Sequence, residues 1–537
     1  MERRKFIRII GTVGSAFITL PNLISCTEAV KKIKTKLIGA NKKRGHMVRD
    51  HQLGLNTSSV KKITIDTVII GGGITGLSTA YHLNKNDYSN FLVVELNERV
   101  GGNSDSGMNE HTQFPLGAHY LTLPNPDNRP LIDFLKEYHY ITKENPDGSQ
   151  EYSEHHLCHA PDERLFYRGI YQEGLVPSYG IDKKTEDEIA RFFHSMNDFK
   201  NEKGSDGKFL FTIPIKSASR DRKLIEYDSI TFEKYLDDNG YQSEELRWFL
   251  DYCSRDDFGA GFDKVSAWAG INYFAARKSN PSNTIPSNVL TWPEGNGHLV
   301  NLLEQKSKQQ IKTGIAISEI IESENGVIAN GFDFKTNEHI QIEAKKAVIA
   351  CPSYVTKHIL KSKFWNRADF DNYVHHPWLV STVVLDKIPT SSGLELAWDN
   401  VKYGTHGLGY IYNQHQEFGQ LKDKYVISVY LAFDKQGDVK ERQRMFELTE
   451  DEMKQLVLDE LKGMHPKIEE HIESMLFQQW GHGMVTPYPN SLQKHYDFVE
   501  KNNLSNIIRL AHTDYSGYSI FEEGFSQGVE SAKFILS

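Results

Sequence analysis

Three glycines form the most informative chemical pattern in this sequence. Gly71, Gly73 and Gly76 have the spacing G-x-G-x-x-G, after the β-branched run 63–70 and before an apolar stretch with helical spacing at 77–83. In such a context the first glycine permits a tight turn, the second lets the backbone approach a pyrophosphate, and the third allows close helix–strand packing. The pattern therefore predicts a dinucleotide site at the N-terminus of a helix.

A second predicted strand, 91–94, ends at Glu95, an acid placed to accept hydrogen bonds from the ribose hydroxyls of an adenosine. The acid opens a run that contains Arg99, Gly101, Gly102 and Asn103. A glycine pair lets the chain pass close to an extended cofactor. This run resembles the acid-then-R-x-G-G signature of the flavoprotein superfamily of amine oxidases, phytoene desaturases and protoporphyrinogen oxidase. The resemblance implies FAD, although Asn103 stands where many members have arginine.

Three central segments are similar to further motifs of this superfamily. Residues 114–119, which include Gly117, resemble the segment that passes beneath the flavin ring. Residues 292–299 resemble the run that opens a helix before the adenine-site strand, here 314–320, and the resemblance places Ile317 near the adenine. Residues 347–352 resemble the strand that returns to the dinucleotide sheet.

The C-terminal segment extends the resemblance. Ala511-His512-Thr513-Asp514 occupies the place of an A-G-D or A-G-E motif, with His512 in the place of the glycine. Gly524 and Phe525 then fall within a run similar to E-G-A-x-x-S-G, which begins the last helix. The resemblance implies that Asp514 contacts the ribityl or diphosphate portion, and that the helix N-terminus faces the flavin pyrimidine.

Candidate catalytic groups are substrate-facing side chains, because a flavin accepts a hydride without a protein nucleophile. Amine oxidases place an aromatic pocket wall before the C-terminal motif, where this chain has residues 479–484. An aromatic face beside the ring would hold an amine by cation–π contact, and a histidine at the flavin edge would act as acid or base. The candidates are His119, Trp480, His482, Tyr515 and Tyr518. Ordinary core packing is the open alternative for each.

One residue that is typical of amine oxidases is missing from the sequence. Many amine oxidases carry a lysine on a substrate-domain strand, but the comparable stretch 378–385 has none. Its absence leaves room for a dehydrogenase that uses a quinone or a cytochrome.

The cluster His155, His156, Cys158 and His159 could suggest a metal site. Because no second ligand pair supports it, we expect a surface loop and no metal site.

The N-terminus is different in kind from the rest of the chain. Residues 1–26 resemble a twin-arginine export signal that ends in a lipobox at Cys26, with an uncleaved anchor or a chance N-terminus as alternatives. Residues 27–60 are basic and read as a tether beside anionic lipid or as a solvated linker. We therefore expect export by the Tat translocase and a periplasmic or other extracytoplasmic, lipid-anchored protein.

The rest of the chain is acidic, since the whole sequence has a formal net charge of −9 despite its basic N-terminus. Acidity argues against nucleic acid and is compatible with cationic substrates. The distribution of motifs predicts an α/β fold with a discontinuous Rossmann-like FAD-binding domain at 61–135, 290–355 and 495–537. A mixed-sheet α+β substrate domain would occupy 136–289 and 356–494, as in two-domain amine oxidase-like flavoproteins.

Three functions remain open from the sequence. The first is an exported FAD-dependent amine oxidase or dehydrogenase with a polyamine-like substrate, similar to spermidine dehydrogenase-like proteins. The second is a phytoene desaturase-type C–C dehydrogenase of a lipid or pigment, and the third is a flavin electron-transfer or binding protein. An aromatic cage would favour the first, a wide apolar tunnel the second, and a sealed flavin face the third. The electron acceptor stays open between quinone, cytochrome and oxygen.

Overall fold

The computed structural model of the chain describes residues 33–39, 42–53, 60–371, 373–419 and 422–537. The twin-arginine pair and Cys26 lie outside the described residues. Within them, no helix is both long enough and apolar enough to cross a membrane.

The helices of the described chain are α1 (Lys42–Arg49), α2 (Ile74–Lys85), α3 (Arg129–Glu137), α4 (Lys183–Asn201), α5 (Arg222–Asp228), α6 (Phe232–Asp238), α7 (Glu244–Phe258), α8 (Ala267–Ala275), α9 (Gly297–Ser307), α10 (Ser353–Ile359), α11 (Asp438–Glu447), α12 (Glu450–Met464), α13 (Ser491–Asn502) and α14 (Phe521–Leu536).

The strands are β1 (Lys34–Ile38), β2 (Val60–Ile70), β3 (Phe91–Glu95), β4 (Ser106–Met108), β5 (Gln113–Pro115), β6 (Tyr120–Thr122), β7 (Ile141–Glu144), β8 (Gln150–Tyr152), β9 (Glu163–Tyr167), β10 (Ile170–Glu173), β11 (Val289–Thr291), β12 (Ile311–Thr313), β13 (Ile315–Ser323), β14 (Gly326–Asp333), β15 (Glu338–Ile349), β16 (Leu360–Lys361), β17 (Val374–Leu385), β18 (Asp399–Lys402), β19 (Tyr410–Tyr412), β20 (Tyr425–Ala432), β21 (Ile472–Thr486) and β22 (Ile508–Leu510).

The first large sheet collects strands from three separated stretches of the chain. Its order is β12-β3-β2-β15-β14-β13-β16, and β22 pairs with β15. The strands β12, β3, β2, β15 and β22 are parallel, while β13, β14 and β15 form an antiparallel meander. The parallel strands are almost fully apolar at their C-terminal ends, as expected for a sheet buried on both faces. The predicted α/β dinucleotide fold with a discontinuous sheet is confirmed.

The second large sheet has the order β1-β21-β17-β20-β19-β18-β9-β10 and is mixed. One face packs in a core with residues of the helices α4 to α8. The opposite face packs against α11 and α12 through Met445, Met453 and Val457. Residues on the two faces alternate along each strand, so the register decides which side chains lie under α7 and α8.

Part of the basic segment 27–60 is folded onto these sheets. The strand β1 pairs in parallel with β21, with Lys34 opposite Ser474. The helix α1 is fixed by Arg44, whose Nη2 lies 2.7 Å from Glu98 Oε1 and whose guanidinium lies over the Phe334 ring. The sequence predicted only a tether or a solvated linker here, because a run of lysines carries no apolar periodicity.

Candidate flavin and substrate site

The glycine turn between β2 and α2 is closed on one side and open on the other. Gly71 has a φ of +109°, and a Cβ atom there would lie 2.4 Å from the Ala350 carbonyl oxygen. A Cβ atom on Gly76 would lie 1.9 Å from the Gly71 oxygen, so this glycine lets α2 pack on the turn. A Cβ atom on Gly73 would meet no protein atom within 4 Å. The backbone at the N-terminus of α2 is therefore accessible, which fits a bound diphosphate.

Glu95 ends β3 beside this turn and is held by two backbone groups. Its Oε2 accepts a hydrogen bond from the Gly72 N–H, and its Oε1 accepts one from the Asn97 N–H, each at 2.8 Å. Burial raises the pKa of this carboxyl, and the backbone hydrogen bonds oppose that rise. Each oxygen keeps a second lone pair, so the carboxylate can still accept hydrogen bonds from ribose hydroxyls.

The segment after Glu95 returns to the glycine turn. The Gly101 N–H donates to the Gly72 oxygen at 2.8 Å, and Gly102 approaches Gly73 so closely that its Cβ would lie 3.5 Å from the Gly73 Cα. Arg99 is exposed and its Nη2 donates to Asp105 Oδ2 at 2.8 Å, so it fixes its own loop. The Asn103 side chain donates from Nδ2 to the Gly483 oxygen and thereby ties the nucleotide domain to β21.

The remaining predicted cofactor residues lie in β13 and near the start of α14. Ile317 is buried in β13 next to a register shift between Ile317 and Glu319. The first turn of α14 meets the first turn of α2, because a Cβ on Gly524 would lie 3.2 Å from Ile74 Cγ2. Phe525 is fully buried and its carbonyl oxygen accepts a hydrogen bond from Ser78 Oγ at 2.8 Å. Two helix N-termini, which favour anionic groups, therefore converge.

Asp514 is a buried carboxylate with an unusual number of partners. The Ser353 N–H and hydroxyl donate to its Oδ2 at 2.7 and 2.9 Å, and His375 Nε2 lies 2.9 Å from the same oxygen. His512 Nδ1 lies 3.1 Å from Oδ1. Burial would raise the pKa of Asp514, but these histidines and hydrogen bonds hold it well below its usual range. The residue is therefore a fixed negative charge that can orient hydroxyl groups.

The segment 114–119 is fixed from the substrate domain by two aromatic side chains. Trp480 Nε1 donates to the Leu116 oxygen at 2.6 Å, and the Tyr430 hydroxyl donates to the Gly117 oxygen at 3.0 Å. Gly117 has no room for a side chain, because a Cβ there would lie 2.3 Å from the Asn103 oxygen. The segment that the resemblance places beneath the flavin ring is thus positioned by β20 and β21.

His119 belongs to a group of four rings that we call the aromatic cluster, whose members are His119, Tyr120, Trp398 and Tyr430. The His119 ring lies 4.8 Å from Tyr430, 5.6 Å from Trp398 and 5.1 Å from Tyr120, measured between centroids. Burial lowers the pKa of His119 to about 4, so its ring is neutral at pH 7. The cluster therefore presents ring faces without a competing positive charge, which suits a cationic amine.

His482 lies in a different group. Its ring stacks on Tyr354 at 3.9 Å and lies 5.8 Å from the ring of His375, which contacts Asp514. Burial, followed by the nearby Arg442, lowers the pKa of His482 to about 2. This histidine therefore stays neutral and is linked to the Asp514 region instead of the aromatic cluster.

The two C-terminal tyrosines are enclosed by protein. Tyr515 stacks on Phe498 at 4.0 Å, and its hydroxyl donates to Thr356 Oγ1 at 3.3 Å. The Tyr518 hydroxyl donates to Asp257 Oδ2 at 2.8 Å. Both side chains are almost completely buried, and the described contacts bring neither of them into the aromatic cluster.

Several residues of the site were not singled out from the sequence. Tyr120, Trp398 and Tyr430 complete the aromatic cluster, while Ser353 and His375 hold Asp514. Only Tyr430 had a usable signal, because it lies within the strand predicted at 425–433. The others come from loops or strand ends, where no periodicity indicates a direction.

Comparison with known proteins places the chain in a family. Residues 74–536 match the family model of flavin containing amine oxidoreductases. Over 57 residues the chain is 49% identical to the bovine (Bos taurus) amine oxidase [flavin-containing] A, an alignment that covers 10% of this chain and 11% of that protein. The chain thus spans about a tenth of the length of this relative.

Solved structures support the same fold. Putrescine oxidase bound to putrescine superposes with a TM-score of 0.62 at 15% identity, covering 88% of this chain and 99% of that one. A CLA-producing fatty acid isomerase from P. acnes superposes with a TM-score of 0.59 at 14% identity, covering 90% and 100%. Identities this low show the fold alone, whereas the family model spans most of the sequence. The chain belongs to the flavin-containing amine oxidoreductase family, and its cofactor is FAD.

Proposed function

We propose that the chain is a FAD-dependent amine oxidase or dehydrogenase with a polyamine-like substrate. The observation that carries this proposal is the aromatic cluster, which Tyr430 attaches directly to the segment beneath the expected flavin ring. Bound FAD would supply the hydride acceptor for the C–H bond beside the amine nitrogen, and hydrolysis of the oxidised amine would give an aldehyde.

The residues of the chain bind and orient the amine. The rings of Tyr430 and Trp398 are buried and offer π faces to an ammonium or amine group. With a pKa of about 4, His119 is a poor proton acceptor at neutral pH. We therefore assign His119 to packing against the substrate, and Trp480 to positioning the segment 114–119 through Leu116.

The composition of β17 bears on our proposal for the electron acceptor. Residues 378–385 lie in this strand between β20 and β21, and their side chains are aromatic, aliphatic or hydroxyl-bearing, without a lysine. The absence of this residue supports a dehydrogenase that passes electrons to a quinone or a cytochrome, with oxygen as the alternative acceptor.

We also propose export. The basic residues before Cys26 and the lipobox-like residues 23–26 support passage through the Tat translocase and lipid attachment at Cys26. An extracytoplasmic, lipid-anchored flavoprotein would meet polyamines outside the cytoplasm and deliver electrons to a carrier at the membrane.

Turnover with an artificial electron-accepting dye tests the reaction class. The purified holoenzyme is offered diamines, polyamines, amino acids and polyenes in turn, with oxygen excluded. We expect dye reduction with di- and polyamines, together with formation of an aldehyde. Dye reduction with polyenes alone would support the desaturase alternative, and reduction by none of these would leave an electron-transfer protein.

A further inference from the structure

We infer that a cavity between α13 and α14 binds phosphate, as the free ion or as a small phosphate ester, and that Arg509 is its central ligand. The cavity has a volume of about 230 Å³, and its lining includes Lys216 and Arg509 of β22. It is separate from the FAD site, because its lining includes neither the glycine turn nor Glu95 nor the segment 114–119. We call it the phosphate cavity.

The register of β22 sets the direction of the Arg509 side chain. Ile508 and Leu510 are buried in the core that includes residues of α13. In the parallel pair of β22 with β15, Arg509 lies opposite Val348, which packs in another core with residues of α14. Because side chains alternate between the two faces of a strand, Arg509 projects to the side of α14.

The guanidinium of Arg509 has no partner among the described residues. Its Nε is buried without a hydrogen-bond acceptor, and no described carboxylate forms an ion pair with the group. Burial lowers the pKa of Arg509, and the charge of Glu530 opposes that change. An arginine stays protonated in any case, and a desolvated charge is costly unless a counterion is present. The missing counterion points to a bound anion.

The acids that line the phosphate cavity do not neutralise it. Glu530 already pairs with Lys216 at 2.6 Å and with Lys533 at 3.0 Å, so two lysines share one carboxylate. Glu523 accepts a hydrogen bond from the Ile215 N–H at 2.5 Å, and burial raises its pKa to about 7. Together with Arg509, three cationic side chains therefore surround one fully ionised carboxylate, and this surplus suits an anion with two charges.

Neutral donors complete the set of ligands. Ser526 and Gln527 of α14 line the cavity, and neither side chain forms a hydrogen bond within the part of the chain that the structure describes. The planar fork of an arginine binds phosphate through two parallel hydrogen bonds, while a lysine contributes a point charge. Hydroxyl and amide donors can then satisfy the remaining phosphate oxygens.

The volume limits the ligand to a small one. A single water takes up about 30 Å³, so the phosphate cavity is several times larger than a site for one ordered water. Pockets for drug-sized ligands begin at about 300 Å³. Inorganic phosphate or the phosphate of a small ester therefore fits, whereas a whole nucleotide is too large.

Thermal unfolding of the holoenzyme tests the site, with FAD in excess so that phosphate cannot occupy the diphosphate position. The wild type, Arg509→Gln and Arg509→Lys are compared in sodium phosphate, in glycerol phosphate and in sodium chloride at matched ionic strength. Arg367→Gln is the matched control, because Arg367 is exposed and does not line the cavity. Isothermal titration gives the dissociation constants, and flavin absorbance shows that each variant is loaded.

We expect at least one of the two phosphate compounds to raise the melting temperature of the wild type by about 2 °C or more beyond the effect of chloride. Arg509→Gln should lose this shift and bind the same compound at least about tenfold more weakly. Arg509→Lys should keep part of the affinity, since it keeps the charge without the fork. Arg367→Gln should behave like the wild type.

Phosphate-free buffer gives a second, independent readout. There, Arg509→Gln should be at least as stable as the wild type, because a buried charge without a partner has been removed. A loss of stability would overturn the inference, since it would mean that groups of the chain itself hold the guanidinium. Equal shifts in phosphate and chloride, or a phosphate shift that survives in Arg509→Gln, would overturn it as well.

Discussion

At the residue scale, Gly73 is the glycine of the turn whose side-chain direction is free for a ligand. Gly73 has extended backbone angles that any residue adopts, and its Cβ position is free of protein atoms. We expect Gly73→Ala to fold normally but to bind FAD at least about tenfold more weakly, because the methyl group blocks the approach of the diphosphate. Flavin absorbance after purification and circular dichroism measure the two effects separately.

Gly76→Ala is the contrasting variant for this turn. Its Cβ would lie 1.9 Å from the Gly71 oxygen, so the chain itself must shift, at a cost of about 1–3 kcal/mol or more in the free energy of unfolding. Normal FAD content in Gly73→Ala would show that the diphosphate lies elsewhere.

At the element scale, β20 and β21 each hold the segment 114–119 through one hydrogen bond. Tyr430→Phe removes the donor to the Gly117 oxygen and should cost about 1 kcal/mol of stability. We expect a several-fold loss in kcat with a small change in KM, because the segment 114–119 becomes less well positioned. Tyr412→Phe on the neighbouring β19 is the control. An unchanged kcat would remove Tyr430 from the positioning role.

At this scale, some of the structure could be predicted from the sequence and some could not. The fold class was predictable because its motifs are local: the residues from Gly71 to Gly102 contact one another within one β-α-β unit. The substrate side was not, since the aromatic cluster is assembled from segments that lie far apart in the chain. Tyr515 and Tyr518 illustrate this limit, because proximity to Asp514 gave no indication that their rings pack against Phe498 and Phe258.

At the scale of the whole molecule, the described part of the chain begins close in sequence to the proposed anchor at Cys26. The strand β1 begins only a few residues after Cys26 and is part of the substrate-domain sheet. We expect Cys26→Ser to release a soluble extracytoplasmic protein with normal flavin content, and replacement of Arg3 and Arg4 by lysine to retain the protein in the cytoplasm. Cell fractionation measures both, and an unchanged distribution would contradict export by this signal.

The most direct test of the account is an anaerobic titration of the holoenzyme with spermine, followed by the absorbance of oxidised flavin. We predict complete loss of the oxidised band at about one equivalent of amine per flavin. Dithionite reduction of a parallel sample shows that the flavin is competent. A flavin that dithionite reduces but that stays oxidised with spermine, spermidine, putrescine and n-butylamine would contradict amine oxidation by this chain.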